Sequence, residues 1–282
     1  MIEKFEFLSG QEGINLLVLG AIHGNETAGP IAINKLIKNI QNGSVCLKRG
    51  KLTLVPVCNV KANQQDVRSI DENLNRVIKE HENPTTYEQK LANQICPLIK
   101  NNDVTLDIHS THCKGDIPFA FCDYPSENNK KLIDVLPVDY VLEGWPQIYD
   151  NQGEISDFST ERYAHTCQKV ATTLECGYHK SEDAGNIAYQ AIINALKVFG
   201  LTEEETDIKY PKTHIMMQSY VVKKREGKLC KNFKHLDVLT KGEAIAQYDD
   251  GEVLYAKEDS YILLPNLEAE INTEWYYLGK KM

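Results

Sequence analysis

The feature that most restricts the fold is an alternation of strand-length apolar runs with helix-spaced stripes over the first two thirds of the chain. GINLLVLGAI (13–22) is a continuous apolar run of strand length. In the stretch Thr27 to Gln41 that follows, Ile33, Leu36, Ile37 and Ile40 recur at i, i+3, i+4 and i+7, the stripe of an amphipathic helix. KLTLVPVCN (51–59) reads as the next strand. Thr85 and Glu88 form a capping box that opens a helix reaching about Leu98, with Pro97 near its end. VTLDIHS (104–110), PFAFCDY (118–124) and VATTLEC (170–176) are further strands. Ala188, Ala191, Ile192, Ala195, Leu196 and Phe199 make a second helical stripe. Strand and helix in turn predict an α/β fold, a largely parallel, mixed sheet covered by helices.

After Gly200 the texture changes. EEETD (203–207) is a charged, exposed connection. Beyond it lie the short strand-like runs IMMQSYVV (215–222), EAIAQY (243–248), EVLYA (252–256), YILLP (261–265) and WYYLG (275–279). DDG (249–251) is a turn signal between two of them. The expected division is an α/β domain over 1–206 and a small β-rich domain over 207–282. A length of 282 residues agrees, at roughly 150 residues per domain, and a core of that size needs no disulfide staples.

Composition removes several classes of function. With 40 acidic against 31 basic residues the formal charge is -9, which argues against a nucleic-acid protein. The longest apolar runs are too short to span a bilayer, so no membrane partner is expected. MIEKFEFLSGQEG carries acids and no apolar core, unlike a secretory signal, and a cytoplasmic location is expected. None of the eight cysteines forms a CxxC pair, so they read as reduced, mostly buried thiols.

Ligands of open α/β sheets bind outside the carboxyl ends of strands. There this chain places His23-Gly24-Asn25-Glu26 after 13–22, His109 at the end of 104–110, and Glu175 at the end of 170–176. His23 and Glu26, three apart on a turn that Gly24 lets bend, can face one metal. His109 from a distant strand completes a His/Glu/His set, the composition of a hydrolytic zinc site with one position left for water. Zinc makes that water acidic and polarises a carbonyl; Glu175 fits the general base. The HxxE pair by itself is equally a capped helix start with a satisfied histidine. Asp107 either supports His109 from behind or points away from it. His112 lines the cleft or is solvated. Cys176, beside Glu175, has no matched base and reads as a small buried residue. Trp145 lines a pocket or packs in a core.

Only five of the 31 basic residues are arginines, and RSIDENLNR (68–76) holds two of them. Arg68 is placed to stabilise a developing oxyanion, and Arg76, with Asn75, to clamp a substrate carboxylate. The competing reading is a solvated loop in which an arginine pairs with Asp71 or Glu72.

HGNE (23–26), RSIDENLNR (68–76), DIHST (107–111) and TLECG (173–177), in this order, resemble the succinylglutamate desuccinylase/aspartoacylase family. The resemblance covers nearly the whole chain. The closing NTEWYYLGKK (272–281), and Arg68 ahead of LNR, make aspartoacylase the closer likeness. The resemblance implies a zinc-carboxypeptidase-like fold with a small C-terminal β domain over the active site. It implies one Zn2+ per chain held by His23, Glu26 and His109, with Glu175 as base and then acid to the leaving amine. Arg68 would hold the oxyanion, Asn75 and Arg76 a substrate carboxylate. Tyr276 would close on the substrate, or Tyr277 if the tail is shifted by one. Two positions depart from the family. Asn73 stands where it has aspartate, removing a charge near Arg76. Its second substrate arginine has only Arg162 as a counterpart, in FSTERYAH (158–165), further upstream of Glu175. The implied activity is zinc-dependent hydrolysis of the amide of a small anionic N-acyl amino acid, at a site made locally positive by zinc and arginine. The alternatives are a zinc metallocarboxypeptidase acting on short peptides and a non-catalytic metal- or ligand-binding relative. A lid-like β domain favours the acylase, because it limits substrate length. A homo-oligomer is compatible with all three.

Overall fold

The structure is a computed structural model that describes residues 2–153, 158–204 and 206–282; Glu205, within the EEETD connection, lies outside them. The chain begins β1 (Phe5–Leu8), β2 (Asn15–Gly20), α1 (Ala28–Gln41), β3 (Lys51–Val55), α2 (Val60–Gln64) and, after a 3-10 turn at Leu74–Arg76, α3 (Tyr87–Lys100). It continues β4 (Val104–Thr111), β5 (Phe119–Phe121), α4 (Glu127–Val135), β6 (Tyr140–Glu143), α5 (Trp145–Gln152), α6 (Thr160–Thr166), β7 (Val170–Tyr178) and α7 (Glu182–Val198). It closes with β8 (Thr213–Val222), β9 (Gly227–Leu229), β10 (Asp237–Leu239), β11 (Ala244–Tyr248), β12 (Val253–Tyr255), β13 (Ser260–Leu263) and β14 (Glu274–Lys281).

Eleven strands form one sheet in the order β1-β3-β2-β4-β7-β5-β6-β8-β14-β13-β10. The pairs β3–β2, β2–β4, β4–β7, β5–β6 and β6–β8 are parallel, so the sheet is mixed as expected. The apolar run of β2 is continuous because both its faces are covered. Leu16 and Val18 pack under α1 and α7, and Leu17 and Leu19 pack under α3. Each such side chain, fully buried, contributes about 1.5–3 kcal/mol. β8 pairs with β6, so the large sheet runs on past residue 207 into the C-terminal strands. β12, β11 and β9 make a separate small sheet. Among the described residues no helix is long and apolar enough to cross a membrane.

The helix opened near Thr85 is capped one residue later than its capping box implies. Thr86 accepts from the Gln89 backbone N–H at 3.2 Å. That frees Glu88 for a different task. Fully buried, it accepts the backbone N–H groups of Ile70, Asp71 and Glu72 at 2.8, 3.1 and 3.3 Å, and the Asn59 amide at 3.1 Å. A charged acceptor holding several orphan donors pins an otherwise solvated loop. That loop carries Arg68 and Arg76.

Candidate metal centre and active-site cavity

The turn after β2 brings His23 and Glu26 together, with His23 Nδ1 2.8 Å from Glu26 Oε1. Gly24 is required here by close approach. A Cβ on it would lie 2.2 Å from the Ala62 carbonyl carbon in α2. β4 delivers His109, whose Nδ1 is 3.0 Å from Glu26 Oε2 and 3.1 Å from His23 Nδ1. All three side chains are buried. One ligand atom from each lies within 4.8 Å of the others.

The outer ring nitrogens explain why the inner ones converge. His23 Nε2 donates to Asn73 Oδ1 at 3.0 Å, and His109 Nε2 lies 3.0 Å from Asp107 Oδ2. Asp107 is itself held by the Thr160 hydroxyl at 2.7 Å. With His23 Nε2 turned to Asn73 and His109 Nε2 turned toward Asp107, the two Nδ1 atoms face each other and the Glu26 carboxylate. Such a donor set fits a divalent cation, and outer partners of this kind orient metal-ligating histidines. The charges agree. Burial opposes a charge on His109, yet Asp107 and Glu26 drive its pKa well above the usual histidine value. Burial would raise Glu26, but the two histidines hold it well below the usual carboxylate range. His23, where burial dominates and Arg68 adds repulsion, falls to about 4.

In the parallel register of β4 and β7, His109 stands beside Glu175. Glu175 lines the same cavity, of about 770 Å³, and its Oε2 is buried without a hydrogen-bond partner. Burial, and then the charge of Glu26, push its carboxyl up to about 8, against the pull of His109 and Arg68. Arg68 is half exposed at the cavity, with Nη1 3.2 Å from Glu26 Oε1. Cys176 is buried away from solvent, with a thiol pushed far up by burial. His112 lies exposed at the cavity, and Trp145 lines it.

Arg76 reaches the cavity from the 3-10 turn. Its Nη2 donates to Glu274 Oε1 at 3.0 Å and to the Tyr149 hydroxyl at 3.2 Å, and its guanidinium packs over Trp145. Tyr149 and Tyr277 hydroxyls are 2.7 Å apart. Asn75 Oδ1 accepts the Thr160 N–H at 3.1 Å. Asn73, expected to bear on Arg76, instead serves His23 and caps the turn by accepting the Asn75 N–H at 3.0 Å.

Two expected site residues lie elsewhere. Tyr276 is buried among Leu229, Tyr248 and Trp275, and it is Tyr277 that lines the cavity. The cause is a β-bulge. β14 shifts register against β8 between Glu274 and Tyr276, so Glu274 and Tyr277, three apart, both reach the cavity. Arg162 does not line the cavity either; its Nη1 pairs with Asp150 at 2.9 Å on the outside of α6. The residue before it, Glu161, is turned inward. Nor is the cavity predominantly positive. Eight acidic residues line it among those described, including Asp123, Glu161 and Glu274, against Arg68 and Arg76.

The profile described as the succinylglutamate desuccinylase/aspartoacylase catalytic domain matches residues 12–197. A succinylglutamate desuccinylase of Vibrio vulnificus (strain CMCP6) is 31% identical over 188 residues, covering 63% of this chain and 53% of that protein. One of Vibrio parahaemolyticus is 30% identical over 179 residues, covering 59% and 50%. The chain thus spans about half the length of the curated relatives it matches. Among solved structures, a succinylglutamate desuccinylase/aspartoacylase from Rhodobacter sphaeroides superposes with a TM-score of 0.77 at 18% identity, covering 100% of this chain and 90% of that one. The product-bound ectoine utilization protein EutE (DoeB) from Ruegeria pomeroyi does so at 0.77 and 21%, covering 99% and 89%. At such identities these structures establish the fold.

Proposed function

Because the chain belongs to the succinylglutamate desuccinylase/aspartoacylase family, we propose that it is a zinc-dependent deacylase that hydrolyses the amide bond of a small N-acyl amino acid. The observation that carries this reading is the meeting of His23 Nδ1, Glu26 and His109 Nδ1 beside Glu175, whose Oε2 is unpartnered, in one cavity. His23, Glu26 and His109 would hold one zinc ion. Bound there, zinc supplies a Lewis acid that lowers the pKa of water and polarises a carbonyl.

The chain's own groups do the rest. Glu175 takes the proton of the attacking water and returns it to the amide nitrogen as the C–N bond breaks, giving a carboxylic acid and a free amino group. Arg68 stands over Glu26 where an oxyanion would develop. Asn75 and Arg76 receive the anionic end of the substrate, its α-carboxylate. Arg76 Nε is buried without a hydrogen-bond partner and is available for that contact. Tyr277 closes this wall from the C-terminal strands. The protein would act in the cytoplasm.

The test is a hydrolysis screen of N-acyl amino acids with the zinc-loaded protein, including N-acetylaspartate, succinylglutamate and short peptides. Release of free amino acid from an acylated member is expected, with peptides left intact. In Glu175→Gln, turnover should fall by about 10²–10⁴, while bound zinc, measured by metal analysis, stays at the wild-type level. Turnover within about tenfold of wild type would remove Glu175 from the role of base.

A further inference from the structure

We infer that the amino-acid part of the substrate carries a basic group, received by the carboxylates of Asp123 and Glu161 on the cavity wall beyond the metal. This rests on the deacylase reading and deepens it.

The local fold aims these acids. Ser159 caps α6 by accepting the Arg162 N–H at 3.2 Å. Neighbouring helical residues point about 100° apart, so Glu161 turns into the cavity as Arg162 turns out to Asp150. Glu161 is only 3% exposed. Its Oε1 accepts the Thr173 N–H at 2.7 Å and its Oε2 the Asp123 N–H at 3.3 Å. Asp123 Oδ1 in turn accepts the Trp145 N–H at 3.0 Å. Thr173 and Glu175 lie on one face of β7, two residues and therefore about 7 Å apart. A substrate with its amide at Glu175 and its side chain running back along β7 thus places the end of a lysine- or ornithine-length chain against Glu161.

The surroundings call for a cation. No cation of the chain pairs with Glu161 among the described residues. Burial, with a further push from the charge of Asp107, raises its carboxyl to about 7. An ammonium or guanidinium from a ligand would relieve that burial cost. Phe121 and Trp145, edge to face at 5.1 Å, line the cavity next to Asp123. Their apolar rings suit the methylenes of a long basic side chain. A second substrate carboxylate at this wall would meet like charge instead. The acids also share the cavity with buried polar atoms that have no hydrogen-bond partner: Ser110 Oγ, on a side chain 2% exposed, as well as Glu175 Oε2 and Arg76 Nε.

The experiment uses the zinc-loaded protein with the Nα-acetyl derivatives of lysine, ornithine, arginine, alanine and aspartate. Binding of the same compounds to Glu175→Gln is followed by calorimetry. The expected result is a kcat/KM for a basic member about tenfold or more above that for N-acetylaspartate. Asp123→Asn and Glu161→Gln should each lower that ratio by about tenfold or more, chiefly through KM. Asp123→Asn carries the test if Glu161→Gln does not fold. Turnover that favours N-acetylaspartate, or a ratio unchanged in the folded variants, overturns the inference and leaves the deacylase reading standing. Binding of a basic member with no turnover of any compound overturns the deacylase reading and supports the basic subsite. Neither binding nor turnover overturns both.

Discussion

Single residues here act through one or two atoms each, and their roles differ in how far local sequence reveals them. His23, Glu26, His109 and Glu175 stand at strand ends in the sequence and meet in space. Strand ends lie on one edge of a parallel sheet, so for these four, placement along the chain was nearly placement in the fold. Asn73 shows the limit, because whether it serves Arg76 or His23 depends on the path of a turn. Glu161 carries no motif of its own beside its neighbour Arg162. One helical step separates inward from outward, and the family likeness points to the arginine. Gly24 is the residue-scale test of the turn. Its missing Cβ is what lets α2 pack on the backbone between His23 and Glu26. Gly24→Ala is expected to lower stability by about 1–3 kcal/mol and to weaken zinc binding. Both are measurable, by denaturant melts and by competition with a chelating dye.

At the scale of elements, two devices build the cavity wall. The buried Glu88 of α3 gathers three loop N–H groups and so sets the position of the arginine-bearing loop. Its signal was visible, an acid at a helix start, but it looked like a capping box, and only the observed cap at Thr86 separates the two. The second device is the bulge in β14. A bulge adds one residue and reverses the alternation beyond it, so no periodicity count could choose between Tyr276 and Tyr277. A pair of variants measures this. Tyr277→Phe removes a hydroxyl bonded to Tyr149 beside Arg76 and should raise KM about threefold to tenfold, the worth of roughly 0.5–1.5 kcal/mol. Tyr276→Phe, in the apolar cluster around Trp275, should leave KM unchanged and alter only the melting temperature.

For the whole molecule, the C-terminal strands are both structure and site. β8 continues the sheet at β6, and β14 sends Glu274 to Arg76. A fragment ending at residue 206 would leave the β6 edge unpaired and uncover Phe119, Leu142 and Tyr149. It is expected to aggregate and to lack activity, as seen by light scattering and the hydrolysis assay. A monomeric fragment with a cooperative melt would instead establish an independent α/β domain. The sequence by itself determined the fold class and the strand ends that carry His23, Glu26, His109 and Glu175. These follow from local periodicity and from the geometry of parallel sheets, which places distant strand ends together without any knowledge of loops. Only the tertiary structure decided which tyrosine enters the cavity, which way α6 turns its acid and its arginine, and that the cavity is rich in carboxylates. Those outcomes hang on a one-residue bulge and a 100° helical step. Each changes a side chain's direction completely while barely changing the pattern of apolar residues from which the fold is read.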